Sequence, residues 1–215
     1  MREPPGLLAA GGDLSPARLL AAYEHGVFPW YSAQQPILWW SPDPRMVLFP
    51  KEFNCSRSLR KTLRNGPYTT RVDHAFGATI RGCAAPRRAG PDTWLNNDMI
   101  ASYEQLHKLG FGHSIETYDE EELAGGLYGI QLGQVFFGES MFSRRRDASK
   151  VALARLVDEC HARDIQLIDC QVASSHLASL GAREVSRSHF AALLRRYARR
   201  CPSGNWSAAA ALRAP

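Results

Sequence analysis

The sequence predicts a sheet domain of the α+β or α/β class that follows a small N-terminal segment. From Met46 onward, strand-like and helix-like patterns are mixed along the chain, which is typical of these classes. A tight turn at Leu132 and Gly133 joins two strand-like runs into a central hairpin. The stretch before it is instead rich in aromatic residues and proline. We therefore expect two domains, residues 1–45 and residues 46–215.

The N-terminal segment contains one clear helix. Ser15 can cap it, Pro16 suits its first position, and Gly26 can end it. Three prolines between residues 36 and 44 then argue against a regular central strand. We expect this stretch to be rigid and irregular and to pack on the larger domain.

The second domain is predicted as a series of strands and helices. Ser56 can cap a short helix that Asn65 and Gly66 close, and the long helix that begins near Asp147 has one apolar face. The predicted strands cover residues 46–49, 68–72, 112–118, 122–131, 135–142 and 165–170. The predicted helices cover residues 56–64, 74–84, 96–109, 147–163, 174–180 and 186–199.

Composition excludes several classes of protein. With 215 residues, 45% of them hydrophobic, the chain can fold around its own core. The five cysteines are odd in number and scattered, and the seven histidines lack metal-ligand spacing, so we expect neither a disulfide framework nor a metal site. No run approaches ~18 apolar residues, and the N-terminus lacks the apolar core of a signal peptide. These features indicate a cytoplasmic protein without membrane attachment. The net charge of +5 is compatible with a polyanionic partner but also with an ordinary basic surface.

Three polar residues near the ends of apolar runs are candidates for catalysis. Asp169 and Gln171 are two positions apart, so they share one face of a strand, and Glu139 is predicted to end the second strand of the hairpin. If these strands are neighbours, the three groups converge at one edge of the sheet. A carboxylate beside an amide can orient and deprotonate an amine or hold a cation. Both carboxylates could instead cap the turns that follow; the convergence of three groups favours a functional role.

Aromatic residues are concentrated in the N-terminal segment. A ring stacked on a base contributes about 1–3 kcal/mol, so an unpaired nucleotide is one candidate ligand. The other interpretation is that the rings pack this segment on the larger domain, which we expect for Trp39 and Trp40. Tyr23 and Trp30 fit either interpretation. The full set is Tyr23, Phe28, Trp30, Tyr31, Trp39, Trp40 and Trp94.

Two predicted helices carry positive stripes. Residues three and four apart share a helix face, so each stripe can contact phosphates, although such a face is more often simply solvated. The first stripe contains Arg57, Arg60, Lys61 and Arg64, and the second contains Arg195, Arg196, Arg199 and Arg200. The run of three arginines at 144–146, just before a predicted helix, is a third candidate for anion contact.

Several strings, in one order, resemble the leucyl/phenylalanyl-tRNA–protein transferases. They cover nearly the whole chain and are far more specific together than any single motif. The strings are GGDLSPAR (11–18), GVFPW (26–30), WWSPDPR (39–45), Thr93 with Trp94, HSIE (113–116), GESMFS (138–143) and IDCQ (168–171).

The resemblance implies a fold and a reaction. The fold would be α+β, with a small N-terminal domain packed on an acetyltransferase-like (GNAT-like) mixed-sheet domain. The enzyme would move leucine or phenylalanine, less readily methionine, from aminoacyl-tRNA to the N-terminal Arg or Lys of an acceptor protein, which marks that protein for degradation. An aminoacyl ester is already activated, so no metal or organic cofactor is expected.

The resemblance also implies residue roles. An apolar pocket would take the amino-acid side chain, and the matching positions are Leu127, Phe136, Leu153, Leu156 and Ile168. Tyr23 and Trp30 would hold the terminal adenosine, and Trp94 would help to position the ester. Asp169 would polarise Gln171, whose carbonyl oxygen would accept the proton of the attacking amine. Glu139 would attract the basic side chain of the acceptor.

Two other functions are compatible with parts of this pattern. A coenzyme A-dependent acyltransferase would use a similar sheet, but residues 143–150 lack the glycines of a pyrophosphate-binding turn. A non-catalytic RNA-binding protein would use the rings and the positive stripes, but it has no use for buried acids that face RNA.

Overall fold

The fold is taken from a computed structural model that describes residues 6–32, 34–85, 95–204 and 206. These residues form ten strands, seven α-helices and one short 3-10 helix, Pro50–Glu52. In chain order they are β1 (Leu7–Ala10), α1 (Pro16–Glu24), β2 (Phe28–Pro29), β3 (Leu38–Trp40), β4 (Arg45–Leu48), α2 (Arg57–Asn65), β5 (Tyr68–Val72), α3 (Phe76–Ala84), α4 (Asn97–Lys108), β6 (Gly112–Asp119), β7 (Glu122–Leu132), β8 (Val135–Ser143), α5 (Ala148–Ala162), β9 (Leu167–Gln171), α6 (Ser175–Ser179), β10 (Arg183–Val185) and α7 (Arg187–Tyr197).

Seven strands form one mixed sheet in the order β10-β4-β9-β8-β7-β6-β5. All neighbouring pairs are antiparallel except β8 and β9, which run parallel. Parallel neighbours need a long crossover, and α5 supplies it. The predicted hairpin is the pair β7 and β8. The mixed sheet with its helices confirms the α+β class.

The sheet carries a separate apolar cluster on each face. Successive strand side chains point to opposite faces. Phe137 and Leu167 therefore pack in one cluster, together with residues of α1, α4 and α7. Phe136 and Ile168 belong to the other cluster, which α5 covers. This second face is where the apolar pocket residues meet.

The N-terminal stretch contains a second, three-stranded antiparallel sheet in the order β1-β3-β2. The expectation of an irregular stretch without a central strand is therefore wrong for Leu38–Trp40, which is the middle strand. Pro36 and Pro42 flank β3 instead of interrupting it, so its amides stay available for pairing. Neither β1 nor β10 is predicted by the sequence, because strands of four and three residues are too short to show a period.

The N-terminal unit packs on the large sheet. Leu19 and Tyr23 of α1 are buried in the same cluster as Phe137 and Phe190, and the ring centroids of Tyr23 and Phe137 are 5.0 Å apart. Trp39 is buried in that cluster too, as expected. The packed N-terminal domain implied by the resemblance is therefore present, while a division at residue 45 stays a prediction.

Two further features complete the fold. None of the five cysteines, all of which lie among the described residues, forms a disulfide. Among the described residues, no helix is long and apolar enough to cross a bilayer.

Candidate active site

A cleft opens where β8 and β9 stop pairing. Their parallel ladder ends with Phe137 opposite Asp169, yet β8 continues to Ser143 and β9 to Gln171. Residues 138–141 and 168–172, on the two sides of this gap, line a cavity of about 380 Å³. That volume lies in the ordinary range for small-molecule sites, about 300–1,000 Å³.

All five residues of the predicted side-chain pocket line this cavity. Leu127, Phe136 and Ile168 come from three adjacent strands, and Leu153 and Leu156 come from α5. None is more than 3% exposed. Together they form a dry apolar surface, which suits a hydrocarbon side chain. Their role in binding the amino acid stays a prediction.

Glu139 lies in the middle of β8, not at the end of the strand as predicted. Tyr128 pairs with Ser140 but Gly129 pairs with Gly138, so Glu139 is the extra residue of a β-bulge. A side chain at Gly129 would overlap a backbone oxygen of β8, which explains the glycine opposite the bulge. A bulge changes the direction of the side chain that it carries, and Glu139 lines the cavity.

Glu139 is buried among uncharged hydrogen-bond donors. Its Oε2 accepts from the Tyr103 hydroxyl at 2.8 Å, and its Oε1 accepts from Nε2 of Gln171 at 2.9 Å. The Tyr103 hydroxyl lies 2.7 Å from the hydroxyl of Tyr23. Burial raises the pKa of Glu139 to about 7, and the charge of Asp169 acts in the same direction, whereas the two hydroxyls and the Gln171 amide act against it. The carboxylate can therefore exchange a proton near neutral pH.

Asp169 has a charged partner that the sequence analysis missed. Arg45 donates to both of its carboxylate oxygens, Nε at 2.8 Å and a terminal nitrogen at 2.6 Å, and both side chains are fully buried. The guanidinium lies between the rings of Phe28 and Phe190, 4.8 and 4.7 Å from their centroids. Such a two-point contact neutralises and orients the carboxylate.

The resemblance implies that Asp169 polarises Gln171, but no hydrogen bond joins Asp169 to the side chain of Gln171. Instead, Oδ1 of Asp169 accepts from the backbone amide of Gln171 at 3.0 Å. Gln171 is the last residue of β9 and has a left-handed φ of 64°. Such a conformation is strained for a residue other than glycine and is held here by this hydrogen bond. Asp169 therefore acts on the backbone of Gln171, and the Gln171 amide reaches Glu139.

The three aromatic residues predicted to bind adenosine and the ester differ in their placement. Trp30 lines the cavity, is 45% exposed and packs against Trp40 at a centroid distance of 5.9 Å. Tyr23 is 1% exposed and packs on Phe137, so it has no open ring face for a base; it instead supports the Tyr103 hydroxyl. Trp94 lies outside the described residues.

The basic residues of the two stripes are exposed, but they differ in what they contact. On α2, no side chain of the stripe forms an ion pair within the described part of the chain; these residues are Arg57, Arg60, Lys61 and Arg64. Arg195 and Arg196 occupy the last turn of α7, with Arg196 over the Tyr197 ring. The helix ends at Tyr197, two residues earlier than predicted, so Arg199 and Arg200 lie beyond it, and Arg200 pairs with Glu24.

The third basic candidate is largely engaged within the protein. Arg144 donates to the carbonyl of Leu123 at 3.0 Å. Arg145 pairs with Asp119 and Glu122 at 3.3 and 2.8 Å. These contacts hold the segment before α5 on the sheet and weaken the case for anion contact there.

Sequence reasoning missed three residues of the site. Arg45 had a signal, because a charged residue opens an apolar strand and ends the WWSPDPR string. For Tyr103, no feature of the sequence distinguishes it from an ordinary core tyrosine of α4. His176 of α6 also lines the cavity, and burial lowers the pKa of its imidazole.

The chain matches two family models that are consecutive along the sequence. Residues 12–43 match the leucyl/phenylalanyl-tRNA protein transferase N-terminal domain, and residues 47–195 match leucyl/phenylalanyl-tRNA protein transferase.

Relatives at high identity carry the same name. A leucyl/phenylalanyl-tRNA–protein transferase of Nitrosospira multiformis is 56% identical over 193 residues, which are 90% of this chain and 83% of that protein. One of Pseudomonas syringae pv. syringae is 53% identical over 208 residues, which are 97% of this chain and 91% of that protein. A GCN5-related N-acetyltransferase from Kribbella flavida is a weak structural neighbour, 13% identical with a TM-score of 0.43 over 80% of this chain and 61% of that one.

Both consecutive models match, and the relatives are more than 50% identical over most of their length. These matches indicate the same family as the sequence strings, two of which, GESMFS and IDCQ, contribute residues to the cavity. The cavity-lining segments 138–141 and 168–171 both fall inside the larger match. The chain therefore belongs to the leucyl/phenylalanyl-tRNA–protein transferase family of aminoacyltransferases.

Proposed function

We propose that this protein moves leucine or phenylalanine, and less readily methionine, from aminoacyl-tRNA to the N-terminal Arg or Lys of acceptor proteins. The transfer takes place in the cytoplasm and marks the acceptor for degradation. The observation that carries the proposal is one cavity that combines a closed apolar surface with two buried acids at its edge.

The apolar part of the cavity accounts for the choice of amino acid. Five side chains from three strands and α5 exclude water and offer no polar partner, which favours leucine, phenylalanine and methionine over polar residues. One methylene changes binding in such a pocket by only about 1–3 kcal/mol. Selectivity among apolar amino acids is therefore modest, and valine is a weak donor rather than an excluded one.

The exposed features around the cavity suit the tRNA. Trp30 offers a ring at the rim for the terminal adenosine, and Trp94 is proposed to act on the ester. The stripe on α2 and the pair Arg195 and Arg196 are proposed to contact phosphates.

The chemistry requires orientation and a proton acceptor. The side-chain nitrogen of Gln171 donates a hydrogen bond to Glu139. The side-chain oxygen of Gln171 accepts no hydrogen bond from the described residues, so this oxygen can accept a hydrogen bond from the attacking amine. Asp169 is neutralised by Arg45, so the negative charge that favours a cationic acceptor comes from Glu139.

The test uses radiolabelled leucyl-tRNA and a peptide that begins with Arg. We expect label in that peptide, little label in the same peptide beginning with Glu, and reduced transfer from valyl-tRNA. Acetyl-coenzyme A is the competing donor. Transfer of acetyl but not leucyl groups would replace the proposal with the coenzyme A alternative, and binding of tRNA without any transfer would support the RNA-binding alternative.

A further inference from the structure

The two acids of the cavity are not equivalent as proton acceptors. Asp169 accepts two hydrogen bonds from the buried guanidinium of Arg45, so the two side chains form an ion pair inside the protein. A proton transferred to Asp169 would leave the buried guanidinium without a counterion. Asp169 is therefore poorly suited to take a proton during transfer.

Glu139 is in the opposite situation. Within the described part of the chain, no Lys, Arg or His forms an ion pair with it, and its two oxygens accept from an amide and a phenol. It lines the cavity next to Gln171, whose side-chain oxygen accepts no hydrogen bond from the described residues and can hold the amine. A proton on Glu139 removes a buried charge instead of creating one.

We propose that Glu139 is the catalytic group that takes a proton from the acceptor's α-amine as the new bond forms and returns it to the ribose oxygen of the departing tRNA, and that Tyr103 is the positioning residue that holds Glu139 for this step. The inference rests on the proposed function, because it concerns the amine and the ester of that reaction.

The proton inventory of this step balances. The acceptor begins as an ammonium ion, with a pKa of about 7.7–8.0, and releases one proton to solvent to become the amine. The nitrogen lone pair forms the C–N bond, and the nitrogen gives its second proton to the Glu139 carboxylate. The C–O bond of the ester then breaks, and the ribose oxygen takes the proton back from Glu139. Peptide, free tRNA hydroxyl and ionised Glu139 result.

The surroundings of Glu139 tune it for this exchange. Tyr23 of α1, Tyr103 of α4, Tyr128 of β7 and Asp169 of β9 face it, and Arg45 compensates Asp169 from β4. Burial brings the pKa of Glu139 to about 7. A proton acceptor works best when its pKa lies near the working pH.

His176 lines the same cavity and is the one imidazole there among the described residues, so it is the competing proton acceptor.

Tyr103 stabilises the ionised form of Glu139. Its hydroxyl is buried, donates to Oε2, and is itself 2.7 Å from the Tyr23 hydroxyl. Because this bond favours the carboxylate over the acid, it sets both the position and the proton affinity of Glu139.

The first test measures single-turnover transfer from leucyl-tRNA to an Arg-starting peptide at saturating peptide, across pH 5.5–9. We expect Glu139→Gln to lower the rate about 10²–10⁴-fold, since that is the usual contribution of a proton acceptor. In the wild type, protonation of both Glu139 and the peptide α-amine lowers the rate at low pH (the acid limb), whereas in the variant only the amine contributes. The slope of log rate against pH below pH 7 should therefore fall from about two to about one. The matched control is Glu116→Gln. Glu116 is also fully buried with a pKa raised by burial, but it bonds Ser114 and lies off the cavity. That variant should keep the wild-type profile.

Three results would overturn the inference. One is a Glu139→Gln variant with a higher KM for the peptide but an unchanged saturated rate, which would limit Glu139 to attraction of the basic side chain. Another is a Glu139→Gln variant whose log rate keeps the wild-type slope below pH 7. The third is a reduced slope in His176→Asn instead.

The second test addresses Tyr103. We expect Tyr103→Phe to move the acid limb upward by about one pH unit, because one hydrogen bond to the carboxylate is lost. Tyr118→Phe removes a hydroxyl elsewhere on the sheet, where the ring packs under Arg71, and should leave the limb in place. A Tyr103→Phe variant that unfolds more easily but whose acid limb does not move would show that Tyr103 has a structural role alone.

Wild-type transfer is measured first in both tests. Failure of the proposed function would appear in the wild-type measurement, whereas failure of this inference would appear only in the variants.

Discussion

Two buried carboxylates line the same cavity from opposite sides of the gap between β8 and β9, and they differ in the charge of their partners. Asp169 is matched by the full positive charge of Arg45, while the donors that reach Glu139 from the described residues are hydroxyl and amide groups. Asp169 is paired with Val47 of β4 and with Phe137 of β8, while Glu139 is the unpaired extra residue of a bulge opposite β7. Burial by itself therefore does not decide what an acid does; its partner does.

This difference separates two tasks within one site. The Arg45–Asp169 pair anchors the backbone of Gln171 and ties β9 to Phe28 of the N-terminal domain and Phe190 of α7. In the proposed mechanism, Glu139 exchanges a proton with the substrates. A charged pair suits the first task because it is stiff, and an uncompensated acid suits the second because its charge can change.

The largest expected effect on stability comes from breaking the Arg45–Asp169 ion pair. We expect Arg45→Met to lower the free energy of unfolding by about 3–5 kcal/mol, because Asp169 is left as an uncompensated buried charge. Urea unfolding measures this. Arg183→Met is the matched control, since it removes a half-exposed pair with Glu52 and should change stability by about 1 kcal/mol or less.

A double variant sharpens the same point. Arg45→Met with Asp169→Leu removes both charges and should recover most of the stability, because an apolar pair of similar volume needs no desolvation of charge. Transfer should stay low, because Gln171 has lost its anchor. Full transfer by the stable double variant would show that the pair serves the fold alone.

Whereas Arg45→Met should lower the free energy of unfolding, Glu139→Gln should gain stability relative to wild type as pH rises. Its folded-state pKa of about 7 lies above the ordinary 4.5, so between these values the native state binds more protons than the unfolded state. Wild-type stability therefore falls as pH rises through this window. Glu139→Gln does not titrate, so its stability relative to wild type should increase by about 3 kcal/mol from pH 4.5 to pH 7. A difference between the two proteins that does not change with pH would contradict the uncompensated state of Glu139.

The smallest expected effect lies at the rim of the cavity. Trp30→Ala should raise the KM for leucyl-tRNA about 5- to 150-fold, since one stacked base contributes about 1–3 kcal/mol, and should leave the saturated rate nearly unchanged. For Glu139→Gln we expect the reverse, a lower saturated rate. Leu109→Ala removes another half-exposed apolar side chain, away from the cavity, and should change neither value. An unchanged KM in Trp30→Ala would make Trp30 structural.

Much of the fold follows from local signals. Ser15 and Ser56 cap α1 and α2 where predicted, because a cap is a hydrogen bond over three residues. The hairpin of β7 and β8 also lies where its turn predicts it. The five apolar pocket residues were available from the resemblance, and the alternation of strand side chains explains why three of them share a face.

The sequence by itself determined the family, the α+β class and part of the set of residues that line the cavity, because these depend on strings, periods and caps within a few neighbouring positions. Only the tertiary structure decided how those residues work. The bulge at Glu139 depends on pairing with β7, and Arg45 reaches Asp169 across 124 positions of chain. Tyr23, which looked available for adenosine, is enclosed by the large sheet and by α4. Burial and countercharge arise only when distant segments meet, so no local pattern can assign them.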